Sequence, residues 1–75
     1  MSTYKNLNGN SGISSYESGT SSIIVQFKDG SAYLYNDQYT GGNNIITMKQ
    51  LANSGSGLNS FINTHVKKRY AKKLR

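Results

Sequence analysis

The residues best equipped for chemistry are the six cations of the last fifteen positions: Lys67, Lys68, Arg69, Lys72, Lys73 and Arg75, with no acid among them. Residues 1–60 balance Lys5, Lys28 and Lys49 against Glu17, Asp29 and Asp37, so the formal net charge of +6 sits at one end of the chain. Such an asymmetry points to phosphate-bearing partners. A helix C-terminus attracts cations through its dipole at about 0.3–1 kcal/mol each, which accounts for two or three of them and not for the whole group. If all contacted duplex phosphates, the log–log salt slope would lie near −5, at roughly −0.9 per contact.

Aromatic rings supply the second half of a nucleotide site. Tyr33 and Tyr35, with Tyr70 in the basic segment, are candidates for stacking on bases, an interaction worth about 1–3 kcal/mol per base and tolerant of sequence. Cross-strand packing is the competing role for the first two. His65 falls on the apolar stripe of the last helical segment, where a packed, hydrogen-bonded histidine is the ordinary outcome and a phosphate ligand or general base the functional one. With a single His, zero Cys and scattered carboxylates, a metal centre or a Ser/His/Asp triad has little support, and no cofactor is expected. Gly55-Ser56-Gly57 could cradle a phosphate with backbone amides but lacks the Gly-Lys-Ser/Thr ending of a triphosphate loop, and reads first as a linker.

These side chains must be positioned by a small fold. Residues 1–12, rich in Ser, Asn and Gly, read as a flexible leader. A short strand is expected over 13–17. Two β-rich runs, 23–28 and 31–36, meet at Asp29-Gly30, a pair suited to a two-residue type I′ turn. That turn would oppose Phe27 to Ala32 and Val25 to Leu34. Ile23, Val25, Phe27, Ala32 and Leu34 would then form the core face, with Ile24, Gln26, Lys28, Ser31, Tyr33 and Tyr35 on the other. Residues 37–44 read as a loop turning at Gly41-Gly42, and Asn43 or Asn44 is a candidate cap for a helix starting at Ile45. Ser54-Gly55-Ser56-Gly57 ends that helix. Leu58, Phe61, Ile62, His65, Val66 and Arg69 recur at helical spacing, so a second helix is expected to run to Tyr70 or beyond. In it Lys68, Lys72 and Arg75 would share one stripe and Arg69 and Lys73 a neighbouring one. The expected class is α+β: a small three-stranded antiparallel meander followed by two helices on one face.

At the hairpin the chain resembles the KTSC domain, found at the C-terminus of some lysyl-tRNA synthetases and as free-standing small proteins. Tyr16, then Ile23, Val25 and Phe27, then Asp29-Gly30 and Tyr33-Leu34-Tyr35 follow the family's order and spacing. Phe61-Ile62-Asn63 and Arg69-Tyr70 look like its closing segment. The likeness spans residues 13–70. The glycine linker between the helices is a residue or two longer here, and the proline usual before the first helix is missing. The resemblance implies one KTSC-like domain over 13–75 ending in a basic helix; RNA binding has been proposed for the family.

Seventy-five residues allow one domain with a marginal core, and without cysteine the remaining staple is self-association, so a homo-oligomer is expected. No apolar run approaches a membrane span, and the N-terminus lacks a signal-peptide core. A cytoplasmic setting with no membrane partner is expected. The leading function is a non-enzymatic module that captures phosphodiester ligands, either RNA or a small signalling nucleotide. Lys67, Lys68, Arg69, Lys72, Lys73 and His65 would hold phosphates, and Tyr33, Tyr35 and Tyr70 would stack on bases. In oligomeric form it could serve as a sponge for a signal, as a viral antagonist of nucleotide-based defence would. The competing function is a protein-interaction module or inhibitor whose basic helix docks on an acidic surface of a larger enzyme.

Overall fold

In the computed structural model, which describes residues 2–7 and 12–75, the chain adopts an α+β fold. The antiparallel sheet has five strands in chain order: β1 (Ser2–Thr3), β2 (Ile13–Ser18), β3 (Ser22–Phe27), β4 (Ala32–Asn36) and β5 (Lys72–Lys73). Between β4 and β5 lie α1 (Asp37–Thr40), α2 (Gly42–Ser54) and α3 (Leu58–Phe61), which continues into a π-helical stretch (Ile62–Val66). Ile23, Val25 and Tyr35 of the sheet are buried with Ile45, Met48 and Ala52 of α2 and with Leu58, Ile62 and Val66. The antiparallel sheet packed by helices agrees with the reading of the sequence; the two edge strands and α1 were not foreseen. Among the described residues no helix is long and apolar enough to cross a membrane.

The hairpin between β3 and β4 corrects the expected register. Phe27 N–H donates to the Ser31 carbonyl at 2.8 Å and Gly30 N–H to the Phe27 carbonyl at 3.0 Å. Three residues, Lys28 to Gly30, therefore make the loop. Gly30 alone of them takes a positive φ, +94°, the mark of a type I turn closed by a glycine bulge. Asp29 fastens the loop by accepting from Ser31 N–H at 2.9 Å and Ser31 Oγ at 2.6 Å. The extra residue shifts every pair by one: Ile23 faces Tyr35, Ile24 faces Leu34 and Val25 faces Tyr33. Since side chains alternate, Tyr33 and Tyr35 join Ile23, Val25 and Phe27 on the helix side, and Ala32 and Leu34 move to the far side.

The basic end is not a continuous helix. The wider π turn carries the chain only to Val66, and Arg69 N–H closes on the Val66 carbonyl at 2.9 Å. The chain then returns along β4 as edge strand β5, pairing Lys73 with Tyr33 and Lys72 with Leu34. Thr40, fully buried, donates its hydroxyl to the Arg69 carbonyl at 2.6 Å and so ties α1 to this return. The expected helical stripe of Lys68, Lys72 and Arg75 therefore does not exist. Lys72 and Lys73 occupy an edge strand, where lysine also deters pairing with a further strand.

Helix α1 forms where a loop was expected because Asn36 caps it, its side-chain oxygen accepting from Tyr39 N–H at 2.9 Å. Helix α2 ends at Gly55 in the left-handed conformation (φ +81°). A Cβ at Gly55 would also collide with the Lys5 side chain. That contact belongs to the N-terminal segment, which is not a loose leader over residues 2–7. Strand β1 pairs with β2, Leu7 N–H donates to the Gly55 carbonyl at 2.8 Å, and Tyr4 is 4% exposed within the core. The Tyr4 hydroxyl accepts from Leu58 N–H at 3.3 Å, satisfying one of the unpaired amides that open α3. The rest of the expected leader, residues 1 and 8–11, lies outside the described residues.

Removing the Tyr4 ring is expected to cost about 3–5 kcal/mol, the scale of a large aromatic truncated in a core. Urea titration of Tyr4→Ala checks this; unchanged stability would mean that the segment does not pack.

Candidate functional site

Register and chain return together build an aromatic cluster on the helix side of the sheet. Tyr33 and Tyr70 lie 4.8 Å apart between ring centroids, tilted by 53°. Phe27 meets Tyr33 edge-on at 5.8 Å, and Tyr35 meets Tyr70 edge-on at 6.5 Å. Such tilted and edge contacts suit the ring quadrupoles and each add about 0.5–1.5 kcal/mol beyond burial. The Lys73 ammonium sits 5.8 Å from the Tyr33 centroid, within cation–π range.

A cleft of about 610 Å³ opens beside this cluster. Tyr33, Tyr35 and Tyr70 line it together with Ile62. Lys67, Lys68 and Asn63 enter from the end of the π-helical stretch, and the β3–β4 turn contributes Lys28, Asp29 and Ser31. Helical geometry explains the lysines' place. The π stretch ends at Val66, which is fully buried, so the residues that follow emerge at the edge of the core. They also sit where helix carbonyls run out of partners, a position that favours cations in its own right.

Five of the nine residues expected at a site thus converge: Tyr33, Tyr35, Tyr70, Lys67 and Lys68. The remaining four do not line the cleft. Arg69 is exposed and engages the fold through its backbone. Lys72 alternates to the far side of the sheet, beside Leu34. Lys73 is used on the Tyr33 ring. His65 is exposed rather than packed in the apolar stripe: its ring stacks on Phe61 at 4.5 Å and 11°, and Nδ1 lies 2.8 Å from the Thr64 hydroxyl. The π turn, with more residues per turn than the α-helical spacing assumed, rotates it outward.

Tyr35 also changes role. At 1% exposure it cannot offer a face to a base, and it acts as the support beneath Tyr33 and Tyr70, both only half-buried. Burial, with Tyr33 and Tyr70 beside it, pushes its phenol up to about 12 from the ordinary 10.0. In the turn, the Ser31 hydroxyl and then the Ser31 amide hold the Asp29 carboxyl below its ordinary value, with Lys73 adding to the effect. Lys28, Asp29, Ser31 and Asn63 were missed as lining residues. Lys28 and Asp29 precede the turn glycine and read as turn chemistry; Asn63 carried a signal only as part of the closing segment of the family resemblance.

Comparison with protein-family models, with curated proteins and with solved structures finds no match. The fold and the cleft therefore rest on this chain's own residues.

The raised phenol makes stability depend on alkaline pH. The folded state keeps the Tyr35 proton more tightly than the unfolded chain does, so the contribution is complete below pH 10 and is lost as pH rises from 10 toward about 12. Urea midpoints across that window are expected to fall, and to fall less for Tyr35→Phe, which keeps the ring and removes the titrating hydroxyl. Identical alkaline profiles for the two proteins would contradict the assignment.

Proposed function

We propose that this chain is a non-enzymatic binding module that captures a small phosphate-bearing nucleotide in the tyrosine–lysine cleft. The observation that carries the reading is the pairing of size and lining. A cleft of about 610 Å³ falls within the roughly 300–1,000 Å³ of small-molecule sites. Its half-buried rings, Tyr33 and Tyr70, suit a base, and Lys67, Lys68 and Lys28 suit phosphoryl oxygens. Extended RNA is the less favoured ligand, because the cations that would have tracked a long backbone point to different sides of the molecule. Catalysis draws no support from a lining whose carboxylate, Asp29, is already held by Ser31.

The same reading keeps three further proposals. The chain is a KTSC-like domain, supported by Tyr16, Ile23, Val25, Phe27, Tyr33 and Tyr35 falling on one face of the sheet. It works as a homo-oligomer in the cytoplasm, where nucleotides are made and consumed. Binding without turnover would make it a sponge for a nucleotide signal, the role a viral antagonist of nucleotide-based defence would need. The competing reading, a protein-interaction module or inhibitor docked on an acidic surface of a larger enzyme, draws less support, since the helix that was to carry its cations stops at Val66.

Native mass spectrometry of protein purified from cells is expected to find a co-purifying nucleotide. Calorimetric titration with linear and cyclic dinucleotides then localises binding. Lys67→Gln/Lys68→Gln and Tyr70→Ala are each expected to weaken it by about tenfold or more, in line with stacking and charge-assisted contacts. Arg69→Gln/Arg75→Gln is expected to leave it unchanged. Tighter binding of long single strands than of dinucleotides would reassign the cleft to RNA; equal losses from both cation pairs would overturn the cleft altogether.

A further inference from the structure

The helices cover one side of the sheet, where Ile23, Val25 and Tyr35 lie; the other side has its own pattern. Printed across the four strands β2 to β5 is a single row: Glu17 opposite Ile24, Ile24 opposite Leu34, and Leu34 opposite Lys72. An acid stands at one end, a cation at the other, and two aliphatic side chains between them. The next row brings Ser15 opposite Gln26 and Gln26 opposite Ala32, with Ser15 Oγ donating to Gln26 Oε1 at 3.2 Å. Leu74 N–H donates to the Ala32 carbonyl at 2.7 Å, and Leu74 is 41% exposed. In a chain of net charge +6, the strand residues on this face sum to zero.

We infer that this face is a two-fold interface with a second copy of the chain. The charge order itself selects the symmetry. A two-fold axis lying along the row would place Glu17 over the partner's Glu17 and Lys72 over the partner's Lys72, which repels twice. An axis parallel to the strands, passing between β3 and β4, reverses the row. It sets Glu17 over the partner's Lys72, Ile24 over the partner's Leu34, and repeats both contacts by symmetry. Facing sheets stand about 10 Å apart, a gap that a glutamate and a lysine reaching toward each other can span. Within one chain, Glu17 and Lys72 are separated by three strand spacings, ~14 Å, too far to pair. Reversed by the two-fold, the charge row is complementary to its own image.

The arrangement is independent of the nucleotide cleft, which lies on the helix side, and it leaves both clefts of a dimer open to solvent. The face is small beside the ~800 Å² per partner of a standard interface, so association depends on concentration, with a midpoint between about 10 µM and 1 mM.

Sedimentation equilibrium over that range tests the inference, with thermal melting to confirm that each variant is folded. Glu17→Lys and Lys72→Glu alone are each expected to weaken dimerisation by about tenfold or more, because each substitution acts twice in a symmetric pair. The exchanged double variant, Glu17→Lys/Lys72→Glu, is expected to restore it. A wild-type chain monomeric up to ~1 mM would overturn the inference and leave the face to a different partner. A dimer indifferent to the single reversals, or one not rescued by the exchange, would overturn it as well. Because calorimetric nucleotide titrations can be run on every one of these variants, loss of the dimer and loss of the cleft's ligand are read separately.

Discussion

Which side of β4 is buried depends on the backbone angles of the turn: Asp29 stays out of the positive-φ region and Gly30 alone enters it, at +94°. A positive angle at that residue alone closes a three-residue loop, and the loop length sets the register of the whole hairpin. Strand alternation then leaves no freedom. Tyr33 and Tyr35 go under the helices with Ile23 and Val25, and Ala32 and Leu34 go to the opposite side with Ile24. Tyr33 is where Phe27, Tyr35, Tyr70 and Lys73 all meet. Without this register the aromatic lining of the cleft would have no counterpart, and neither would the aliphatic centre of the far face.

The second constraint is how the chain spends its cations once it leaves Val66. An unbroken helix would have laid them out as parallel stripes. A π-helical stretch, a tight turn and an edge strand disperse them instead. Lys67 and Lys68 reach the cleft, Lys73 lies against an aromatic ring, and Lys72 ends up on the other side of the sheet. The buried Thr40 hydroxyl, bonded to the Arg69 carbonyl, fixes where the return begins. A cluster in sequence has thus become several single charges in space, each with different neighbours, and only part of the net charge of +6 is available to any one ligand.

Much of the framework was legible because its signals are local. Apolar residues at spacings of three and four marked α2 and α3, Gly55 marked the end of α2, and Asp29-Gly30 marked the hairpin. The length of that turn was not legible, since Asp-Gly serves two-residue and three-residue loops alike and only the backbone angle of Asp29 separates them. Tyr4 carries no periodicity; a lone aromatic among polar residues is buried by contacts with α3 that are distant in sequence. Strand β5 is two lysines, poor strand formers by composition, held by pairing with β4 and not by propensity. The site was legible to the extent that Tyr33, Tyr70, Lys67 and Lys68 were named. Tyr35 was assigned to a ligand when it belongs to the core, because the expected register placed it on the wrong face, and His65 was misplaced because a π turn does not keep helical spacing.

Cross-strand proton distances in solution test the register, and with it both faces of the molecule. The Phe27 amide bonds to Ser31, so the pairs next along the ladder are the closely spaced ones. Nuclear Overhauser spectra are expected to join Hα of Gln26 to Hα of Ala32 and Hα of Ile24 to Hα of Leu34. Hα cross-peaks joining Phe27 to Ala32 and Val25 to Leu34 instead would mark a two-residue loop, put both tyrosines on the side away from the helices and contradict the account.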